Sequence, residues 1–520
     1  MRTRVMATAF TLTVAMAWAA APQAPALEQL DGGAPAGVAQ LAGSDGSRSP
    51  IEEFAKAPSG SGAGESTARV HGSVNLQGGL DTRFDSPRGD PLAENVFDLR
   101  TRAALGVDAR LSDSVRVFVE GRAFWRSAAE RDFDRAKATL ELEAGEAFVD
   151  LYAPAVDLRF GNQFIPLGAN VAFAPSDRLN PRDLRQISLL GEPDDGRIPV
   201  LAARAIGTAA GVTWTAAYVP FFVPNRYSVF RQDEALVQPA LGLALPLRID
   251  ESIEDELQPR LLETERPKAF PWLGDVALRA TAPIGRVKAG ASWIWINEKM
   301  PGVVVDPELA ALARATALQV DPNPLAASVQ RRLAAGEQLI TGRYARQHVF
   351  SAEARALLGS AQLDVDLGYS PAQTLVSGGD LRPISKPMVS WVVGISQAED
   401  SPLLYAATYL GVTVPGVSSG QYLFLLEPET AVGGPRAVWF HLLSAKLGYQ
   451  LWDDRLEVSA RGLFEPVQRS WALGPRIAWK GISRLTLALG AEFFGGPVLS
   501  PFGYFGRNDQ VVGQVALDLF

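Results

Sequence analysis

Apolar and polar positions alternate with a period of two along much of this chain, and the clearest stretch runs from Phe97 to Trp125. Phe97, Leu99, Thr101, Ala103, Leu105, Val107 and Ala109 share one face, while Asp98, Arg100, Arg102, Ala104, Gly106, Asp108 and Arg110 share the other. After a turn around Leu111–Ser114, Val115, Val117, Val119, Gly121, Ala123 and Trp125 alternate with Arg116, Phe118, Glu120, Arg122 and Phe124. Successive side chains leave a pleated chain on opposite sides, so this pattern predicts two paired strands. Strands of soluble sandwiches are typically about 5–6 residues long, whereas a tilted strand crossing a bilayer needs about 9–11. The charged face, with both signs close together, suits a wet lumen better than a protein core. A long twisted hairpin with one solvated face is the competing reading.

The same alternation continues almost to the carboxyl end. Val70, Gly72, Val74, Leu76, Gly78 and Leu80 alternate with His71, Ser73, Asn75, Gln77 and Asp81. Thr139–Tyr152 begins with Leu140 and Leu142 outward and Glu141 and Glu143 inward, then changes phase near Gly145, which predicts a β-bulge. Further strands are expected at Val156–Phe164, Val200–Thr208, Val212–Val219, Val276–Ile284, Val287–Ile296, Ala345–Leu358, Ala361–Tyr369, Met388–Ser396 and Leu403–Val414. The last group is Val438–Gln450, Leu456–Phe464, Trp471–Trp479, Leu485–Phe493 and Val511–Leu519.

The connections decide the architecture. Every second junction is short, around Ser112, Pro154, Ala209, Pro283, Gly359, Glu399, Asp453 and Gly481. Those between them are long, at 85–96, 126–138, 166–199, 220–275, 297–344, 370–387, 415–437 and 494–510, with a short exception near Gln468. Short turns on one side and long loops on the other are the mark of a transmembrane barrel. The expected fold is therefore all-β: a transmembrane antiparallel β-barrel of about eighteen strands, with sixteen as the alternative. Trp125, Trp293, Trp295, Trp439, Tyr449, Trp452, Trp471 and Trp479 fall near strand ends, where aromatic girdles meet headgroups.

The amino terminus agrees. Arg2 and Arg4 precede an apolar, small-residue run from Ala7 to Ala21, and Ala24-Pro25-Ala26 supplies a small-x-small cleavage site. Residues 1–26 read as a secretory signal. Residues 27–68, rich in Gly, Ala, Ser and Pro, read as a flexible periplasmic segment with a short helix near Ile51–Lys56. The barrel then spans 69–520. No later stretch offers about 18 uninterrupted apolar residues, so spanning helices are not expected. The terminal Phe520 resembles the signal read by the barrel-assembly machinery, although Val515, Leu517 and Leu519 hold the apolar phase and leave Phe520 off it.

The chain has 520 residues and a net charge of -8 without a basic block, which gives no sign of a nucleic-acid partner. There is no cysteine, hence neither a disulfide framework nor a thiolate metal site. The three histidines, His71, His348 and His441, lie on distant strands without metal-ligand spacing. His441 and Ser444 share one strand but point to opposite faces, so they cannot form a hydrolase pair. No catalytic residue, metal site or cofactor is expected.

The candidate chemistry is that of a pore lining. Arg100, Arg102, Arg116, Arg122, Arg159, Arg279, Arg455, Arg461 and Arg476 are set against Asp98, Glu120, Glu141, Glu143, Asp150, Glu353, Asp364, Asp366 and Glu457. Such balance predicts weak ion selectivity. The loop 166–199 is rich in turn-forming Asn, Asp and Pro; its charges Asp177, Arg178, Asp183 and Arg185 would mark a constriction if it folds into the lumen. Lying over the mouth is the other placement. Loop 297–344 carries helical patterns at Pro307–Leu318 and Pro324–Ala335, and loop 220–275 carries Asp250, Glu251, Glu254, Asp255 and Glu256; both read as surface lids or partner sites.

Around Arg159, Gly161 and Gln163, then Asp177, Asn180, Pro181 and Asp183, then Gly191 and Ile198-Pro199, the chain resembles a porin-like Gram-negative outer-membrane family of unknown function. Asn162 stands where that family usually has a basic residue. The resemblance covers roughly residues 97–225. It implies a channel for hydrophobic or small solutes, embedded in outer-membrane lipid, with a homotrimer as the assembly common among such barrels. The competing class is a structural or receptor barrel occluded by its loops and acting in an envelope or surface assembly.

Overall fold

A computed structural model describes residues 67–82, 95–130, 136–170, 173–185, 196–226, 267, 273–309, 311, 323–376, 383–397, 401–419, 423, 426, 433–497, 500–506 and 508–519. The expected signal, the segment up to residue 66 with its short helix, Gly191, the acidic run Asp250–Glu256 and Phe520 lie outside these residues.

The strands are β1 (Thr67–Asp81), β2 (Asn95–Ser112), β3 (Val115–Glu130), β4 (Ala136–Tyr152), β5 (Val156–Gln163), β6 (Val200–Ala209) and β7 (Val212–Val219). They continue with β8 (Asp275–Ile284), β9 (Val287–Asn297), β10 (Gly302–Val305), β11 (Ile340–Arg343), β12 (Arg346–Leu358) and β13 (Ala361–Val376). The remainder are β14 (Pro383–Gln397), β15 (Leu403–Val417), β16 (Arg436–Leu451), β17 (Leu456–Glu465), β18 (Ser470–Ile482), β19 (Leu485–Gly495) and β20 (Gln510–Asp518). All but β10 and β11 form one 18-stranded antiparallel sheet. It closes where β1 pairs with both β2 and β20, for instance at Leu76↔Thr101 and Leu76↔Val515. Closure leaves no unpaired sheet edge, the condition for a strand-built wall in lipid.

Alternation sets the two faces of that wall. Leu105, Val119, Leu142, Leu201, Leu278, Leu447 and Leu489 are exposed on the outside. Asp98, Asp108, Arg116, Asp150, Arg159, Glu353, Asp364 and Asp366 are buried on the inside. Aromatic side chains band the outer face near both rims. Trp125, Phe350, Tyr369, Trp439 and Trp471 lie toward the loop end, and Trp214, Tyr449 and Trp452 toward the turn end.

The short turns have the chemistry their hairpins need. Ala210 (φ 51) and Gly211 (φ 77) both sit in the left-handed region. That makes the two-residue β6–β7 turn compatible with strand twist. In β4 the expected bulge is present: the register against β3 shifts between Val119 and Gly121, which face Ala147 and Ala144. Gly145 and Glu146 therefore share the place of one residue.

Several expectations change. The strand β13 runs on to Val376 and β14 begins at Pro383, past a register shift between Ser370 and Gln373. The junction expected to be long at 370–387 is therefore largely strand. Loop 297–344 holds the expected second helix, α1 (Asn323–Ala334), and also an unexpected ribbon, β10 paired with β11. Of the first expected helix, 307–309 and 311 are helical and the rest lies outside the described residues. The strand β1 begins at Thr67, inside the stretch expected to be flexible. Arg455, expected in the lumen, is exposed in the turn between β16 and β17, because pairing ends at Leu451↔Leu456.

Candidate functional site

The site is built around the loop that follows β5. Gly161, with φ 138, presses its backbone against Ala147 and Phe148 of β4, where any Cβ would meet the Ala147 carbonyl. Next to it, the β4 bulge frees the Glu146 carboxylate to accept the Phe164 N–H at 2.9 Å. The chain thus leaves the wall and turns inward.

Asn180 closes the loop's base. Its Oδ1 accepts the Ile165 N–H at 2.7 Å, and its Nδ2 donates to the carbonyls of Gln163 (3.2 Å) and Ile198 (3.0 Å). Both limbs are stitched together by one side chain, satisfying backbone groups that burial would otherwise orphan. Ile165, Leu167 and Leu179 then pack against the inner faces of β6–β9 and β12, in a cluster with Val200, Ala202, Ala217, Val219, Ala277, Ile294, Ile296 and Val349. The loop therefore lies inside the barrel, against one side of its wall. The alternative placement over the mouth does not occur for the described part.

Its far limb is held by ion pairs and backbone contacts. Asp177 Oδ2 accepts from Arg182 at 3.1 Å and Arg197 at 2.5 Å. Arg178 donates to Pro175 O (3.0 Å) and Gln373 Oε1 (2.9 Å) and lies 3.6 Å from Glu298. Asp177 and Arg178, expected among the constriction charges, are thus enclosed within the loop's own support. Arg185 behaves differently, reaching into the lumen to fork Glu141 at 2.7 and 2.8 Å while bonding Asp183 at 2.6 Å. Hydrogen bonds to Asp183, and then to Glu141, raise the Arg185 pKa against the effect of burial. Arg226 pairs with Glu143.

The wall of β2 and β3 carries the other candidates. Asp98 accepts from Arg100 (2.5 Å) and Arg126 (3.3 Å), and Arg126 also donates to the Arg185 carbonyl at 3.3 Å. Arg122 bonds Glu120 at 2.5 Å and lies over the Phe164 ring. Arg102 lies over Phe124. Arg100, Arg102, Glu120 and Arg122 are half-buried, lining the lumen beside the loop.

Nearer the short turns the interior is packed rather than wet. Arg116 lies between Asp108 (2.6 Å) and Asp150 (3.4 Å), and Arg159 takes the other side of Asp150 at 2.6 Å. These four are 5% exposed or less. Above them His71, Phe118 and Phe148 stack at 5.2 and 5.1 Å, and Arg159 covers Phe148 at 3.7 Å. Arg116 and Arg159 therefore belong to a buried ladder of alternating charge, which departs from the wet face expected there. Such a ladder is tolerated because each charge has a bonded opposite neighbour.

Alternation did not reveal the partners that hold the loop. One signal was present: Trp293-Ile294-Trp295-Ile296 is apolar on both faces, which a lipid-facing strand over a wet lumen does not need. The inner pair, Ile294 and Ile296, proves to be 0% and 1% exposed beneath the loop. Among the described residues, no cluster of three or more His, Cys, Asp or Glu side chains is placed to hold a metal ion.

No family model and no curated protein matches the sequence. Among solved structures, the chain is similar to OccAB1 of Acinetobacter baumannii at 10% identity and TM-score 0.44, covering 86% of this chain and 96% of that one. OpdK of Pseudomonas aeruginosa, solved with vanillate, shows 9% identity and TM-score 0.41 over 86% of this chain and 98% of that one. OmpF of Salmonella typhi, solved with daunomycin, shows 9% identity and TM-score 0.39 over 87% and 97%.

Proposed function

We propose that this chain is an outer-membrane channel for passive passage of small solutes, with weak preference between ions of opposite sign. The observation that carries the reading is the loop after β5. It lies inside a closed barrel, packed against β6–β9 and β12, with the half-buried Arg100, Arg102, Glu120 and Arg122 on the wall beside it. An apolar outer face banded by aromatics supports embedding in lipid. Selectivity would follow from pore width and lining charge, with no catalytic step. With this reading go the secretory signal at 1–26, the periplasmic segment at 27–68, the outer membrane of a Gram-negative cell as location, delivery by the barrel-assembly machinery and assembly as a homotrimer.

A second reading, a barrel occluded by its loops that serves as a receptor or structural anchor, is favoured by the buried ladder of Asp108, Arg116, Asp150 and Arg159 near the turn end. Reconstitution of the purified protein in a planar bilayer separates the two. Stepwise openings in the native chain are expected for the channel. A folded barrel that shows none, even with 166–199 and 297–344 deleted, would overturn it.

A further inference from the structure

The tip of the lumen loop is gripped by its backbone, at residues whose own side chains are small or uncharged. Asp366, on the inner face of β13, is 0% exposed and turns both oxygens to the loop. Oδ1 accepts the Ala169 N–H at 2.9 Å and Oδ2 the Asn170 N–H at 2.7 Å. Arg279 of β8 donates to the Gly168 carbonyl at 3.4 Å, and Arg355 of β12 donates to the Ala169 carbonyl. Each arginine is fixed by an acid of the wall, Arg279 by Glu353 and Arg355 by Asp364, both at 2.7 Å. Gly168, with φ 101, permits the turn and has the Asp366 carboxylate 3.1 Å from where a Cβ would stand. Three strands thus satisfy the polar groups of two consecutive peptides, which would otherwise need water. Among the described residues, Asp366 is the carboxylate that accepts directly from that backbone, one N–H to each oxygen.

We infer that Asp366 is the positioning residue of the constriction, holding residues 168–170 flat against the β8–β12–β13 wall so that the space beside β2 and β3 stays open. The effect on conduction rests on the channel reading; the position of the loop does not. Neutralising Asp366 leaves an N–H without its acceptor and lets the tip move into the lumen.

The absence of native cysteine makes this testable in the full chain. Gly394 of β14 lies beside Asn170, whose Nδ2 is 2.6 Å from where a Gly394 Cβ would stand. The pair Asn170→Cys and Gly394→Cys is introduced into the native protein, Asp366→Asn and Asp366→Glu. Folding is checked by heat-modifiable gel mobility, and Asp366→Ala serves as a second variant should Asp366→Asn not assemble. Disulfide yield is expected to be high with Asp366, to fall several-fold with Asn and to recover in part with Glu. In a bilayer, the Asn variant without the cysteines is expected to show a smaller, flickering open-state current. The oxidised cross-link should restore the native level. Equal cross-linking in the native and Asn proteins overturns the inference, as does an unchanged current trace. If no protein conducts, the channel reading fails and the cross-link yield alone decides the role of Asp366.

Discussion

Gly161 shows how much can hang on one position. Its φ of 138 lies where L side chains rarely go, and an added Cβ would collide with backbone rather than with a movable side chain. Residues forced into such regions cost about 1–3 kcal/mol before any clash is counted. Gly161→Ala is expected to lower the fraction of barrel that folds, read as the heat-modifiable band on a gel, and to loosen the loop that starts three residues later. Normal folding with an unaltered protease pattern would show that the strain is relieved elsewhere. Asn180 and Asp177 teach a related point. Their turn-forming character was legible in the sequence, and so was their place in a loop. Their roles were not, because Asn180 works through carbonyls 17 and 18 residues away and Asp177 through Arg197.

Among the elements, the two faces of the β2–β3 hairpin were read correctly from period two alone, and the structure adds the register: Leu105 pairs with Gly121, and Ala104 with Arg122. Leu105 is 56% exposed on the outside, while Ala104 lies on the inner face. Leu105→Arg should therefore destabilise assembly by about 2–4 kcal/mol if it lies near the midplane. Ala104→Arg should leave assembly intact and change conductance. Equal tolerance of both in a folding assay would contradict the assigned faces. The ribbon of β10 and β11 was not legible, since four-residue segments carry too little periodicity to stand out from a loop. It is closed by Asp306, whose N–H bonds the Leu339 carbonyl at 2.8 Å and whose carboxylate accepts two bonds from Arg332 of α1 at 3.0 Å. Those bonds hold the Asp306 carboxyl below its ordinary range. A depressed carboxyl stabilises fully above its unfolded value of about 3.9 and loses that contribution as pH falls through the folded value. Hydrogen exchange of 302–309 and 323–343 is thus expected to accelerate below about pH 4 while the barrel strands stay protected. Arg332→Ala should produce the same opening at neutral pH.

At the scale of the whole molecule, the lumen charges are mostly spent on one another. Arg100 and Arg126 meet Asp98, Arg122 meets Glu120, Arg279 meets Glu353, Arg355 meets Asp364, and Lys480 lies 3.3 Å from Glu457. Paired in this way, they project little net field along the pore, so a reversal potential close to zero in a salt gradient is expected. A strong preference for either ion sign would refute it.

Strand number, strand faces, the side carrying the short turns and the bulge in β4 were determined by the sequence alone. Each depends on period-two alternation and on turn residues a few positions apart, and a wall that must face lipid on one side enforces that period throughout. What fills the lumen was decided only by the tertiary structure. The loop after β5 lies against β8, β12 and β13, so its partners are up to 197 positions away, as Ala169 and Asp366 are. A buried carboxylate that grips a backbone and one that faces open water look alike in a strand's alternation. Only closure of the barrel brings the loop to Asp366 and tells them apart.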